Sequence, residues 1–397
     1  MSEKETPKLT PAEENPWYVL ATIHKDIIPV EGTTEFQSLL NAFSSRQVWN
    51  SWAISKLNDK QKKFIIEKNP DILDDSPPWD SIKKDVQKRL QQRGVKSIPA
   101  LELAMDMSSL NFVDDAHFAR FIFPAKVIFR DSIFTKIADF EHAVFFNYAE
   151  FFGCQFLSVS GFEHVDFSSA NFQKAMFSQD VFFTDAAFQR ADFIRAIFEK
   201  TCSFVRSRFK KDCLFDLCAF KNTSLFRGAM FEKEYPSLTG TIFHEKITLS
   251  INKAIYWPDP QNCEQDPEVA KVTCEVLREQ METQGLHDEA HFFFRRERHF
   301  AVKMLTPWQR LPNNLFACLS AYGFSLKRPL SALAFLWALP MVIFWVNVCT
   351  GKCANTIGAE LWVSLIKMAG LSIANIFQIT GLQRVYWSDF IECLPSW

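Results

Sequence analysis

FSSANFQKAMF (residues 167–177) and FQRADFIRAIF (residues 188–198) decide how this chain folds. Each holds a ring every fifth residue: Phe167, Phe172 and Phe177, then Phe188, Phe193 and Phe198. Two residues before the later rings sits alanine, at Ala170, Ala175, Ala191 and Ala196. Neither common element uses such a period. On an α-helix a step of five advances by about 140°, which scatters the rings around the axis. On a flat strand an odd step sends successive rings to opposite faces. Only a chain that turns once per repeat points every ring inward.

The pattern runs outward from these stretches. Phe recurs every five or six residues from Phe118 to Phe231, and 41 Phe stand in the chain against 12 Gly and 6 Tyr. The position two residues before each ring is small nearly throughout, the exceptions being Phe121, Val127, Val165 and Val181. Charged and amide side chains fill the rest. One large and one small inward residue per face suit a narrow, close-packed interior. The six-residue steps, as at Phe134–Phe140 and Phe145–Phe151, add a residue, and these additions belong at corners.

This frame resembles the pentapeptide-repeat family, whose unit is small–polar–Leu/Phe–x–x. The resemblance implies a mainly β fold, a right-handed quadrilateral β-helix with four faces per coil and coils that need a neighbour or a cap. The repeats imply five to six coils and a rod of roughly 25 Å, at about 4.8 Å per coil. The mixed five/six period resembles the Phe-rich bacterial subgroup whose solenoid is joined to channel-like membrane segments. In that subgroup an aromatic–Arg–Arg–Glu run, as in Phe294–Glu297 here, lies on a helix between solenoid and membrane.

The flanks divide by composition. Residues 1–15 are polar and charged and are expected to be disordered. Residues 16–110 read as a small α/β cap: NPWYVLATI (15–23) is apolar enough for a strand, Glu35 to Leu57 has helical spacing, and Asp80 to Arg93 reads as a charged helix. The solenoid is assigned to 111–250. Residues 264–304 read as a helical hairpin broken at Gly285, a glycine placed to end a helix.

Residues 329–349 (PLSALAFLWALPMVIFWVNVC) carry no charge, and a helix of that length crosses a bilayer core. Arg295, Arg296, Arg298, Lys303, Arg310, Lys327 and Arg328 precede it, and Lys352 follows. The excess of positive charge upstream puts the solenoid in the cytoplasm. A second apolar stretch, 359–382, contains Glu360 and Lys367 on one helical face. It fits a second span, a re-entrant pore helix or an interfacial helix, and Glu360 and Lys367 are then candidates to line a pore.

Little in the sequence points to chemistry. Cys202, Cys213 and Cys218 occupy small inward positions and read as core filler, not as a metal site. Cys349 and Cys353 stand close enough to pair if they face an oxidising compartment. His287 and His291 flank Glu289 on a helix, but HDEAH lacks the Glu that must directly follow the first His of a zinc-protease motif. Arg295, Arg296 and Arg298 suit either a docking patch or a plain solvated face. No nucleophile elbow, phosphate loop or dinucleotide fingerprint occurs, so no enzyme, cofactor or metal is expected. The N-terminus lacks an apolar secretory segment, and the ten Cys show no dense framework, so a reducing, cytoplasmic setting is expected.

Three functions fit. The first is a scaffold held at the cytoplasmic face of a bacterial inner membrane, binding lipid and a protein partner, with homo-oligomers allowed. The second is an ion-channel subunit or regulator, although no T-V-G-Y-G filter occurs. The third is a DNA mimic protecting a topoisomerase. Residues 111–250 hold 17 Asp and Glu against 16 Lys and Arg, which argues against an acidic DNA-like surface and equally against binding nucleic acid.

Overall fold

A computed structural model of the chain describes residues 9–23, 35–101, 104–250, 256–320, 322, 327–335, 338 and 342. They fall into two compact units, Met1–Met304 and Leu305–Trp397.

The centre of the first unit is a parallel β-solenoid of about seven turns. Four short strands make one turn. The first complete turn runs through Leu110–Phe112 (face one), Ala116–His117 (face two), Ile122–Phe123 (face three) and Val127–Ile128 (face four), the last pairing back to Met105–Asp106. Each strand pairs in parallel with its equivalent one turn on, Ile122 with Val144 and Val127 with Ala149 for example. Strand Val144–Glu150 rounds the corner between faces three and four without a break, pairing with both.

The rings form four columns. On face one Phe112, Phe134, Phe156, Phe177, Phe198, Phe220 and Phe243 stack nearly parallel, with centroids 4.5, 4.8, 4.8, 5.1, 4.7 and 4.9 Å apart. That is the spacing of hydrogen-bonded strands. Across the interior the rings meet edge to face, as in Phe162–Phe172 at 5.4 Å and 85°. Both arrangements are those the aromatic quadrupole favours. The small residues Ala170, Ala175, Ala191 and Ala196 are buried between them.

Corners explain the mixed period. The corners leading into faces three and one are always five-residue steps, and the second residue after the ring takes left-handed backbone. Arg120, His142, His164, Asp185 and Arg206 do so at one corner, and Asp131, Gly153, Lys174, Arg195 and Leu217 at the other. A turn hydrogen bond closes most of them, as from Ala175 N–H to the Phe172 carbonyl at 3.0 Å. The corner from face one to face two always takes six residues. There a carboxylate substitutes for a backbone acceptor: Asp115 accepts the Ile137 N–H at 3.1 Å and Asp180 the Thr201 N–H at 2.9 Å. Between faces three and four the step is six at Phe145–Phe151 and five at Phe167–Phe172. The strand register shifts where those two coils pair.

The coil count is larger than the five to six expected. Phe112 and Phe243 extend the stack at both ends, and Leu238 takes a ring position, buried, in a coil of irregular spacing. Its length is therefore about 30 Å at the usual strand spacing.

The N-terminal cap is helical, not the α/β unit expected. Its helices are α1 (Pro16–Ala21), α2 (Glu35–Ile54), α3 (Asp59–Lys68), α4 (Asp71–Asp74) and α5 (Trp79–Gln92). The segment read as a strand is α1. Asn15 caps it, accepting from Trp17 and Tyr18 N–H at 2.9 and 3.3 Å, and Pro16 takes the first helical position. Part of the expected disordered tail is ordered too: Thr10–Pro11 pairs with Leu110–Asn111 and covers the open edge of face one. On face three α2 does the same with side chains. Trp49 Nε1 donates to the Ile122 carbonyl at 2.7 Å, and Asn50 accepts the Ile122 N–H at 3.0 Å.

At the other end α6 (Pro267–Thr283) and α7 (His287–Lys303) form the expected hairpin. Gly285 stands at φ +73°, and Leu286 N–H reaches back to the Met281 carbonyl at 2.9 Å, which ends α6. The hairpin is a cap as well as a connector. Trp257 lies 5.0 Å from both Phe231 and Phe293, and Thr273 donates to the Pro236 carbonyl at 2.6 Å.

In the second unit α8 (Pro307–Ser320) and residues 327–335 are helical. Among the described residues no helix is long and apolar enough to cross a membrane. The charge-free stretch 329–349 lies only partly within the described residues. The stretch 359–382, with Glu360 and Lys367, and the pair Cys349 and Cys353 lie outside them.

Candidate interaction surfaces

Each solenoid face carries its own chemistry, because the outward residues also stack in columns. Face one is nearly uncharged: Ile133, Met176, Ile197, Ala219 and Ile242 line it, with Lys221 and Glu199 paired at 2.8 Å. Face four is polar and internally matched. Glu150 is buried, takes Lys126 at 3.1 Å and is hydrogen-bonded by Arg130. Asn171 donates to Tyr148 Oη at 2.7 Å.

Face three is half covered. Phe64 of α3 meets Phe146 edge-on at 5.7 Å. Beside them opens a cleft of about 240 Å³, floored by Val144, Phe146 and Ala187 and rimmed by Lys60, Asp166 and Lys210. Burial pushes the Asp166 carboxyl up, and Lys68 and Lys210 oppose that shift. Lys68 approaches it at 3.9 Å. The cleft escaped the sequence reading because α3 comes from a segment about a hundred residues upstream of the strands it covers.

One left-handed corner is a charge ladder. His142 and His164 stack at 4.5 Å, His164 Nε2 lies 3.9 Å from Asp185, and Asp185 takes a bidentate pair of bonds from Arg206. That guanidinium holds the Asp185 carboxyl below its ordinary range.

Cys202, Cys213 and Cys218 are buried in the stack, and burial raises all three thiols. Cys218 donates to the Phe193 carbonyl at 2.8 Å, as Cys154 does to Phe129 at 2.9 Å. Among the described residues no group of His, Cys, Asp and Glu is placed to hold a metal. His287 is exposed at the start of α7, with Glu289 and His291 half-buried.

The Arg-rich run divides by side. Arg296 donates to Tyr235 Oη at 2.8 Å and covers the Phe292 ring, while Glu297 is buried and takes Arg278 at 2.8 Å. Arg295 and Arg298 face outward. Half of the motif therefore fastens the cap. The sequence gives no sign of this, since Tyr235 and Arg278 lie at unrelated spacings.

The parallel solenoid with its ring every five residues agrees with the pentapeptide-repeat frame. No family model, curated protein or solved structure matches the chain.

Proposed function

We propose that the chain is a pentapeptide-repeat scaffold of the Phe-rich, membrane-associated kind. In this reading it holds a solenoid at the cytoplasmic face of a bacterial inner membrane and offers its sides to a protein partner. The observation that carries the scaffold is the closure of both solenoid ends. Trp49 and Asn50 occupy the backbone groups of one end, and Trp257 and the α6–α7 hairpin cover the other. Such ends are poor templates for adding another coil, so recognition falls to the lateral faces. Those faces differ enough in charge and polarity to discriminate between partners.

The membrane part rests on the charge-free run 329–349 and on the bases that precede it. Cell lysis without detergent tests it: the chain should sediment with membranes and resist a carbonate wash, and recovery in the soluble fraction would overturn the anchor. Reconstitution into vesicles with an ion-flux readout separates scaffold from channel. A scaffold gives no flux at any potential.

A further inference from the structure

Helix α8 presents an apolar stripe that is left largely exposed among the described residues. Trp308, Leu311, Leu315 and Leu319 fall three or four residues apart, as one helical face requires, Phe316 borders them, and none of the α8 residues is buried. Trp308 is 86% exposed and Leu311 56%. Its other side carries Gln309, Asn313, Asn314 and a single charge, Arg310. A soluble helix with this pattern turns the stripe inward.

Two observations say what covers it. No Asp or Glu stands between Glu297 and Glu360, whereas Arg298, Lys303, Arg310, Lys327, Arg328 and Lys352 do. A segment so free of acid suits an anionic surface. Second, α8 stays close to the foot of the charge-free run: Arg328 Nη1 donates to the Ala317 carbonyl at 3.2 Å, and Tyr322 meets Phe316 edge-on at 5.9 Å. Whatever holds that run is therefore within reach of α8.

We propose that α8 lies flat on a lipid bilayer, with Trp308, Leu311, Leu315 and Leu319 in the headgroup–acyl boundary and Arg310, Lys327 and Arg328 among anionic headgroups. Such an amphipathic face, with Trp and Leu on one side, is what interfacial helices use. The proposal rests on the membrane-anchored reading and adds to it a second, parallel contact that fixes the angle at which the chain leaves the bilayer.

The intact chain is reconstituted into phosphatidylcholine vesicles with and without phosphatidylglycerol. Each type is made plain, with bromines near the headgroup end of the acyl chains, and with bromines near their methyl ends. Subtracting the emission of Trp308→Phe from that of the native chain isolates Trp308 from the remaining tryptophans. The expected result is that the Trp308 signal loses most of its intensity to the shallow bromines and little to the deep ones, more so with phosphatidylglycerol. The double variant Leu311→Gln/Leu315→Gln should recover that intensity. Vesicles that float with the protein but leave the Trp308 signal unquenched would overturn the proposal and spare the anchor, since protein or water then covers the stripe. Stronger quenching by the deep bromines would also overturn it, because α8 would then run through the bilayer. Protein that fails to float at all refutes the anchored reading and this proposal with it.

Discussion

The imidazoles of His142 and His164 lie face to face, 4.5 Å apart and 5° from parallel, each at the left-handed corner of successive coils. Burial, and next the neighbouring His164, hold His142 below its ordinary value of 6.5, while Glu141 and Asp139 pull the other way and Arg120 reinforces the shift. As pH falls below 6.5 the unfolded chain takes the proton first, so stability declines in that window. His142→Asn should flatten the decline. The check is the urea midpoint of both proteins at neutral and mildly acid pH. Parallel loss in both would show that this corner is not the sensor.

Trp49 bridges to Ile122 across the N-terminal edge, and its two roles separate by substitution. Trp49→Phe keeps a ring and strands the Ile122 carbonyl, at a cost of about 1–3 kcal/mol. Trp49→Ala also empties the space against Phe121 and Phe123, raising the loss to about 3–5 kcal/mol. Hydrogen exchange should quicken first in the coil holding Phe123 and much less around Phe193. Uniform acceleration along the solenoid would mean that it unfolds as one unit.

Corner strain can be relieved or imposed. Gly153 sits at φ +66° with Asp131 Oδ1 only 2.3 Å from where a Cβ would stand. Gly153→Ala should lose at least about 1–2 kcal/mol, the ordinary cost of left-handed backbone. Lys174 occupies the same corner one coil on, at φ +56°. Lys174→Gly should gain about 0.5–1 kcal/mol, strain relieved less the added chain entropy. Thermal midpoints moving in opposite directions are the expected signature.

The stacked cysteines should behave as hydrophobes. With Cys154, Cys202, Cys213 and Cys218 buried and their thiols raised, alkylation at mildly alkaline pH should leave them untouched in the folded protein. Cys318, exposed on α8, should react at once. Peptide mass spectrometry before and after denaturation reads the difference, and early labelling of Cys202 would mean that the stack opens.

The five/six spacing of Phe and its small partner was enough, by itself, to specify a turning chain with rings inside and extra residues at corners. Each coil makes the same choice again, so the information is local and repeated, and seven turns of it leave little freedom. The ends are different. NPWYVLATI is apolar enough to read as a strand, yet its residues from Pro16 are helical, with Asn15 capping the start and Tyr18 packed on Phe112 5.1 Å away. The Trp49–Ile122 and Arg296–Tyr235 bonds join residues 73 and 61 positions apart, and no periodicity encodes such pairs. Nor does it reveal the cleft beneath α3, whose walls meet only after the cap has docked. Tertiary structure decided these features because an exposed coil edge must find donors and acceptors wherever the rest of the chain can supply them.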